Sequence, residues 1–145
     1  MKSIKVIGAG LGDLALLNAR AIRLFTDAEL LITTGRLHKS LRQINANSVE
    51  LACGQIAAMV QQTSCKHIVV AVSGDTGFYS LATSLEKQLA GYDVEFISGI
   101  SSLQYLAAKL QISYAGIQTV SVHGREASVI PHICYHERVF VLTGG

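Results

Sequence analysis

Short apolar runs alternate along this chain with longer segments whose apolar residues recur at helical spacing. Continuous apolar runs predict buried strands, and apolar residues three or four positions apart predict one buried helix face. The predicted strands cover residues 4–7, 28–33, 67–72, 94–97, 119–122 and 138–142, with a shorter candidate at 49–51. The predicted helices cover residues 14–25, 36–44, 53–62, 78–89 and 103–110, and residues 126–137 are predicted to be irregular.

Alternating strands and helices predict an α/β fold, with a mainly parallel sheet flanked by helices. Half of the 145 residues are hydrophobic and only 15% are charged, which suits a sheet covered on both faces. A chain of this length is typical of one domain. We therefore expect a single α/β domain over residues 1–145.

Composition and charge disfavour several classes of partner. The net charge is +2 and no run of Lys or Arg occurs, which disfavours a nucleic-acid partner. No apolar run approaches the ~20 residues of a membrane span. Three dispersed cysteines and no leader-like amino terminus favour a cytoplasmic protein. His132, Cys134 and His136 would share one side of an extended segment, but a fourth ligand is missing, and no metal is predicted.

Three glycine-bearing loops follow predicted strands: loop 1 (residues 8–13), loop 2 (residues 73–77) and loop 3 (residues 98–102). The carboxyl ends of parallel strands meet at one sheet edge, where open α/β sheets bind ligands. Glycines there allow close approach of the backbone. Asp13 is expected to cap the next helix, and Asp75 is expected either to cap a helix that begins near Thr76 or to face a ligand.

Loop 1 invites comparison with a dinucleotide site, which requires G-x-G-x-x-G and an acidic residue after the second strand. Asp13 occupies the position of the third glycine, and the second strand ends at Thr33. Both features disfavour NAD or FAD, although a dinucleotide-binding oxidoreductase domain is kept as the alternative. Three glycine loops with two carboxylates suit an uncharged or cationic ligand better, such as S-adenosylmethionine (SAM).

Four sequence blocks, in this order, resemble the tetrapyrrole (corrin/porphyrin) methylases, the class III SAM-dependent methyltransferases. The blocks are GAGLGD at 8–13, VSGDTGFY at 72–79, GISSLQYLA at 99–107 and SVHGR at 121–125. The last two are most similar to the branch that methylates C5 of precorrins in cobalamin biosynthesis. Leu11 and Thr76 stand where this family usually has proline, a residue that fixes φ.

The resemblance implies SAM as methyl donor and a tetrapyrrole with acetate and propionate groups as substrate. The residues that it places at the cofactor are Gly8, Gly10, Leu11, Gly74, Asp75, Thr76, Ser101 and Ser102. His123 and Arg125 are the candidates for the substrate carboxylates, with a solvated loop arginine as the alternative for Arg125. No catalytic residue is assigned, because methyl transfer from a sulfonium depends mainly on positioning.

The same resemblance implies a homodimer and a two-domain enzyme with its active site between the domains. Residues 1–145 would supply the N-terminal domain and half of the cleft, without the C-terminal domain. Methylation at C5 is expected, with C15 left open as a second position. A truncated domain without catalytic competence is therefore a further alternative.

Overall fold

The computed structural model describes residues 2–124 and 127–143. The chain divides into two compact units, residues 1–102 and residues 103–145. The first unit holds a five-stranded sheet and the second a two-stranded sheet. In both sheets every strand pair is parallel, so the predicted α/β class with a mainly parallel sheet is confirmed.

The first unit has the strand order β3-β2-β4-β1-β5. Its strands are β1 (Ser3–Gly8), β2 (Leu30–Thr33), β3 (Ser48–Glu50), β4 (His67–Val72) and β5 (Asp93–Ile97). Its helices are α1 (Ala19–Asp27), α2 (Leu37–Leu41), α3 (Cys53–Gln62) and α4 (Ala82–Gln88), and a 3-10 helix covers Leu14–Leu16. The strands and α3 lie where the hydrophobic pattern predicts them.

Successive residues of β4 contribute to two separate hydrophobic clusters. Ile68, Val70 and Val72 belong to one cluster, whereas Val69 and Ala71 belong to the other. Side chains alternate between the faces of a strand, so the two clusters lie on opposite faces of the sheet. This explains why the strand is apolar throughout rather than at every second position.

The predicted helix over residues 78–89 is wrong at its start, since α4 begins at Ala82. The connection after β4 is longer because the Asp75 carboxylate accepts a hydrogen bond from the Gly77 N–H at 2.9 Å, which closes a turn. Tyr79 then has a φ of +46°, in the left-handed region that a right-handed helix excludes.

The second unit contains most of α5 (Ser102–Leu110), together with β6 (Gln118–Ser121), α6 (Ile130–Tyr135) and β7 (Val139–Leu142). The prediction of irregular chain over residues 126–137 is wrong within α6. Pro131 lies in the first turn of that helix, where a missing N–H costs no hydrogen bond. The helix also separates His132 from Cys134, because residues two positions apart point to different sides.

The described residues contain no group of three His, Cys, Asp or Glu side chains placed to hold a metal ion. In the same part of the chain, no helix combines the length and the apolar character that crossing a bilayer requires.

Asn45 joins the end of α1 to the segment after α2. Its Nδ2 donates to the carbonyl oxygens of Phe25 and Ala28, both at 2.9 Å. Its Oδ1 accepts from the Asn47 N–H at 2.9 Å. The Asn45 side chain is buried, so water could not take over its hydrogen bonds to these backbone groups if the side chain were removed.

We predict that Asn45→Ala lowers the free energy of unfolding by about 1–3 kcal/mol, because two buried carbonyls lose their donor. Urea denaturation followed by circular dichroism measures this change. Asn47→Ala is the matched control: the Asn47 side chain is exposed and makes no hydrogen bond with the described residues. Equal losses in the two variants would contradict the role given to the Asn45 side chain.

Two glutamates, the exposed Glu29 and the half-buried Glu95, carry pKa values lowered from the ordinary 4.5. Lys5 lowers the pKa of Glu95 by a hydrogen bond of 2.6 Å from its Nζ, and Arg20 bonds to the other carboxylate oxygen. The backbone N–H of Lys66 lowers the pKa of Glu29, with a smaller contribution from that of His67. Lys5 and Glu95 are directly opposed on β1 and β5.

A carboxyl with a lowered folded pKa stabilises the fold above its unfolded pKa and loses that contribution as pH falls through the folded value. We therefore predict that unfolding free energy decreases as pH is lowered below 4.5. Glu95→Gln should flatten this dependence, as measured by urea denaturation between neutral and acidic pH. Glu86→Gln, at an exposed position of α4, should leave the profile unchanged. Identical profiles for the wild type and Glu95→Gln would refute the assignment.

Candidate functional site

Loops 1, 2 and 3 leave the carboxyl ends of β1, β4 and β5, which are neighbours in the sheet. From β1 the chain goes to β2 on one side of the sheet, whereas from β4 it goes to β5 on the other. The sheet therefore has a topological switch point between β1 and β4, the place where open α/β sheets bind ligands. The prediction that the three loops share one sheet edge is confirmed.

Loops 1 and 2 are hydrogen-bonded to each other through their backbones. The Gly10 N–H donates to the Gly74 carbonyl at 3.1 Å, and the Gly74 N–H donates to the Gly10 carbonyl at 2.8 Å. These two bonds form an isolated antiparallel bridge beyond the parallel ladder. Both glycines have positive φ, +58° for Gly10 and +72° for Gly74, which other residues adopt only with strain.

Gly8, Gly74 and Gly99 bring the backbones of the three loops into direct contact, and we call this set the glycine junction. A Cβ on Gly8 would lie 2.6 Å from the Gly74 carbonyl oxygen and 2.7 Å from the Gly99 nitrogen. A Cβ on Gly99 would overlap the carbonyl oxygens of Gly8 and Gly74. The junction therefore excludes any side chain at positions 8 and 99.

The Asp75 carboxylate links loop 2 to loop 3. Its Oδ1 accepts from the Gly99 N–H at 3.0 Å, while Oδ2 accepts from the Gly77 N–H at 2.9 Å. The alternative in which Asp75 caps a helix from Thr76 is wrong, since α4 begins at Ala82. The cap predicted at Asp13 is confirmed: its side chain accepts from the Ala15 N–H at 2.9 Å, at the start of the 3-10 helix.

A cavity of about 270 Å³ opens beside the glycine junction, between loops 1 and 3. Backbone and uncharged side chains form its walls. They come from Gly8, Gly10, Leu16, Leu17, Asn18, Ser98, Gly99 and Ile100. Small-molecule sites usually measure roughly 300–1,000 Å³, so this cavity suits part of a cofactor rather than a whole one.

The cavity walls include only two of the residues that the sequence places at a cofactor, Gly8 and Gly10. Outside the walls lie Leu11, Gly74, Asp75, Thr76, Ser101 and Ser102. The N–H groups of Gly10 and Gly74 are already bonded within the protein, so a ligand contact from either residue would involve its carbonyl or Cα. Ligand contacts for the whole set stay a prediction.

Six residues of the cavity walls are not among the cofactor residues predicted from sequence: Leu16, Leu17, Asn18, Ser98, Gly99 and Ile100. The predicted continuous helix over 14–25 is wrong at residues 17–18, because the 3-10 helix ends at Leu16 and α1 starts only at Ala19. The extended link still lets Leu17 pack against the hydrophobic cluster on its face of the sheet, while it also borders the cavity. The Asn18 side chain caps α1 by accepting from the Ala21 N–H at 2.8 Å.

Of the two residues proposed for substrate carboxylates, His123 lies in the second unit. The His123 N–H donates to the Ser121 hydroxyl oxygen at 3.3 Å, which fixes the chain just after β6. Arg125 lies outside the described residues. The roles of both residues stay predictions.

We predict that Gly8→Ala destabilises the protein by about 1–3 kcal/mol or more, because a Cβ at this position meets backbone that cannot move independently. Urea denaturation measures the loss. Gly54→Ala is the matched control: it lies in α3 and its Cβ would meet nothing within 4 Å. Its stability should be unchanged or raised by up to about 1 kcal/mol. A wild-type denaturation midpoint for Gly8→Ala would disprove the tight junction.

Residues 3–144 match the model of the family described as tetrapyrrole (corrin/porphyrin) methylases. A probable cobalt-precorrin-7 C(5)-methyltransferase of Methanocaldococcus jannaschii is 30% identical over 96% of this chain. The crystal structure of a cobalamin-biosynthesis precorrin-6Y methylase from Archaeoglobus fulgidus matches 84% of the chain with a TM-score of 0.70 and 18% identity. A uroporphyrin-III C-methyl transferase from Thermus thermophilus, complexed with S-adenosyl homocysteine, matches 89% with a TM-score of 0.68 and 22% identity.

These relatives are longer than the chain. It spans 70% of the Methanocaldococcus protein, and 65% and 60% of the two solved chains. It spans only 35–44% of three further curated relatives. The structural likenesses are below 25% identity and show the fold, whereas the family match covers nearly every residue. The chain belongs to the tetrapyrrole (corrin/porphyrin) methylase family.

Proposed function

We propose that this chain acts in a SAM-dependent C-methyltransferase that methylates C5 of a precorrin or cobalt-precorrin macrocycle in cobalamin biosynthesis. The observation that carries the proposal is the glycine junction with its uncharged cavity, at the switch point of a tetrapyrrole-methylase sheet. The name of the Methanocaldococcus relative supports the C5 position.

The site suits a cationic or uncharged cofactor better than a dinucleotide. Its walls carry no cation, and the carboxylates of loops 1 and 2, Asp13 and Asp75, would repel a pyrophosphate but not a sulfonium. At the end of β2, the buried Thr33 hydroxyl donates to the Val49 carbonyl and also bonds to His38 Nδ1. It offers no carboxylate to ribose hydroxyls, so the oxidoreductase alternative is disfavoured.

When bound, SAM supplies a methyl group that is activated by its positively charged sulfur. The task left to the chain is to hold and orient the cofactor and to exclude water. Leu16, Leu17 and Ile100 are half-buried and give the cavity walls their apolar part. The glycine junction fixes the spacing of the loops, so the cavity walls are positioned before a ligand arrives.

Three finer points belong to the proposal. Residues 1–145 act as the N-terminal domain of a larger enzyme, which is consistent with the greater length of the relatives. The enzyme is a homodimer, as the family resemblance implies. C15 is the candidate for a second position of methylation, which the name of a Sinorhizobium relative, precorrin-6Y C(5,15)-methyltransferase, supports. Analytical ultracentrifugation would test the homodimer, and mass spectrometry of the products would test methylation at C15.

We predict that the chain binds S-adenosylhomocysteine and does not bind NAD⁺ in calorimetric titrations. Ser98→Phe should weaken S-adenosylhomocysteine binding by at least about tenfold, because its ring would occupy the cavity that Ser98 borders. Ser98 is exposed, so the larger side chain requires no change in the core.

Ser64→Phe provides the control, since Ser64 is exposed in the connection before β4, at the opposite edge of the sheet. Its affinity should match that of the wild type. Binding of NAD⁺ without binding of S-adenosylhomocysteine would overturn the proposed function. Wild-type affinity in Ser98→Phe would show that the cofactor lies elsewhere.

A further inference from the structure

The connections at the carboxyl edge of the first unit carry very little charge. They comprise the five segments that follow β1 to β5, at residues 9–18, 34–36, 51–52, 73–81 and 98–101. All of these residues are described, and their only charged side chains are Asp13, Arg36 and Asp75. Both carboxylates are bonded to backbone N–H groups. Arg36 carries the one positive charge of these five segments.

Arg36 is exposed, yet its side chain is directed toward loop 2. Its guanidinium donates to the Ser73 hydroxyl oxygen at 3.3 Å. Ser73 directly precedes Gly74 of the glycine junction, so this hydrogen bond holds the guanidinium next to the junction. The preceding segment is attached to β4 as well, since the Thr34 hydroxyl donates to the Ala71 carbonyl at 3.5 Å.

Arg36 also lacks an acidic partner. Among the described residues, the ion pairs of the first unit join Lys5 and Arg20 to Glu95, and neither involves Arg36. A guanidinium has five N–H donors, and the bond to Ser73 uses one of them. The remaining donors form the planar fork that matches a carboxylate in bidentate geometry.

We propose that Arg36 is a carboxylate-binding residue of this site, anchored by Ser73 and selective for anionic groups of the bound ligand. The assignment rests on the proposed function, under which two ligands carry carboxylates. One source is the acetate and propionate side chains of the tetrapyrrole, and the other is the amino-acid part of the cofactor. Lysine would keep the charge but not the fork, so Arg36→Lys should retain only part of the affinity.

The test is a pair of titrations on the full chain, one with uroporphyrin III followed by absorbance and one with S-adenosylhomocysteine followed by calorimetry. Arg36→Ala should lower the affinity for one of these ligands by at least about tenfold, which is the loss expected for a charge-assisted hydrogen-bonded pair. The difference from wild type should shrink at high salt, which screens an exposed charge pair and would not affect a purely structural role.

Arg23→Ala is the control, because Arg23 is an exposed arginine of α1 without an ion pair among the described residues. It removes the same charge and should leave both affinities unchanged. A loss confined to uroporphyrin III supports the assignment with a macrocycle carboxylate, and a loss confined to S-adenosylhomocysteine supports it with the cofactor carboxylate.

Wild-type binding of both ligands with unchanged affinity in Arg36→Ala would overturn the assignment and leave the proposed function intact. Equal losses in Arg36→Ala and Arg23→Ala would also overturn it, since only net charge would then matter. Failure of the wild-type chain to bind either ligand would overturn the proposed function and the assignment together.

Discussion

The carboxyl edge of the first unit depends on a steric constraint at the glycine junction. Backbone atoms of Gly8, Gly74 and Gly99 approach one another at distances that leave no room for a Cβ. Loops from three different strands can meet only because two of these positions carry hydrogen alone. The strands set the loops side by side, and the glycines allow them to close on one another. The cavity lies beside the point where the loops meet, and Gly8 and Gly99 are part of its walls.

Hydrogen bonding complements this steric constraint. Asp75 bonds to one N–H of its own loop and one of loop 3, and Gly10 and Gly74 bond to each other. The carboxylate that first suggests a ligand contact thus has a structural role that accounts for both of its oxygens. The consequence is electrostatic: the negative charge of loop 2 lies close to backbone dipoles, and Arg36 keeps N–H donors that none of the described residues accepts.

The sequence predicts this fold well where the local signal is strong. Apolar runs at 4–7 and 67–72 are long enough to identify strands, and glycines after them identify loops. The start of α4 is missed because Asp75 closes a turn that the apolar pattern does not show. The positive φ of Tyr79, which the sequence does not reveal, places the beginning of the helix at Ala82. The six-residue helix α6 is missed because proline occurs both in loops and in first helical turns, so Pro131 does not distinguish the two.

The site is predicted only in part, for a related reason. Glycine loops that follow separate strands can be expected to share an edge, since parallel strands impose it. Which groups face the cavity cannot be deduced in this way. The extended link at Leu17 and Asn18 interrupts the predicted helix and brings both residues to the cavity, and Asp75 pairs with Gly99, a residue 24 positions away. Contacts of that kind depend on strand order and twist rather than on local pattern.

The reciprocal bridge between Gly10 and Gly74 has a dynamic consequence. Each glycine supplies both the donor for the other's carbonyl and the acceptor for the other's N–H. Separating loop 1 from loop 2 has to break both bonds, so a displacement of either loop is transmitted to the other through the backbone.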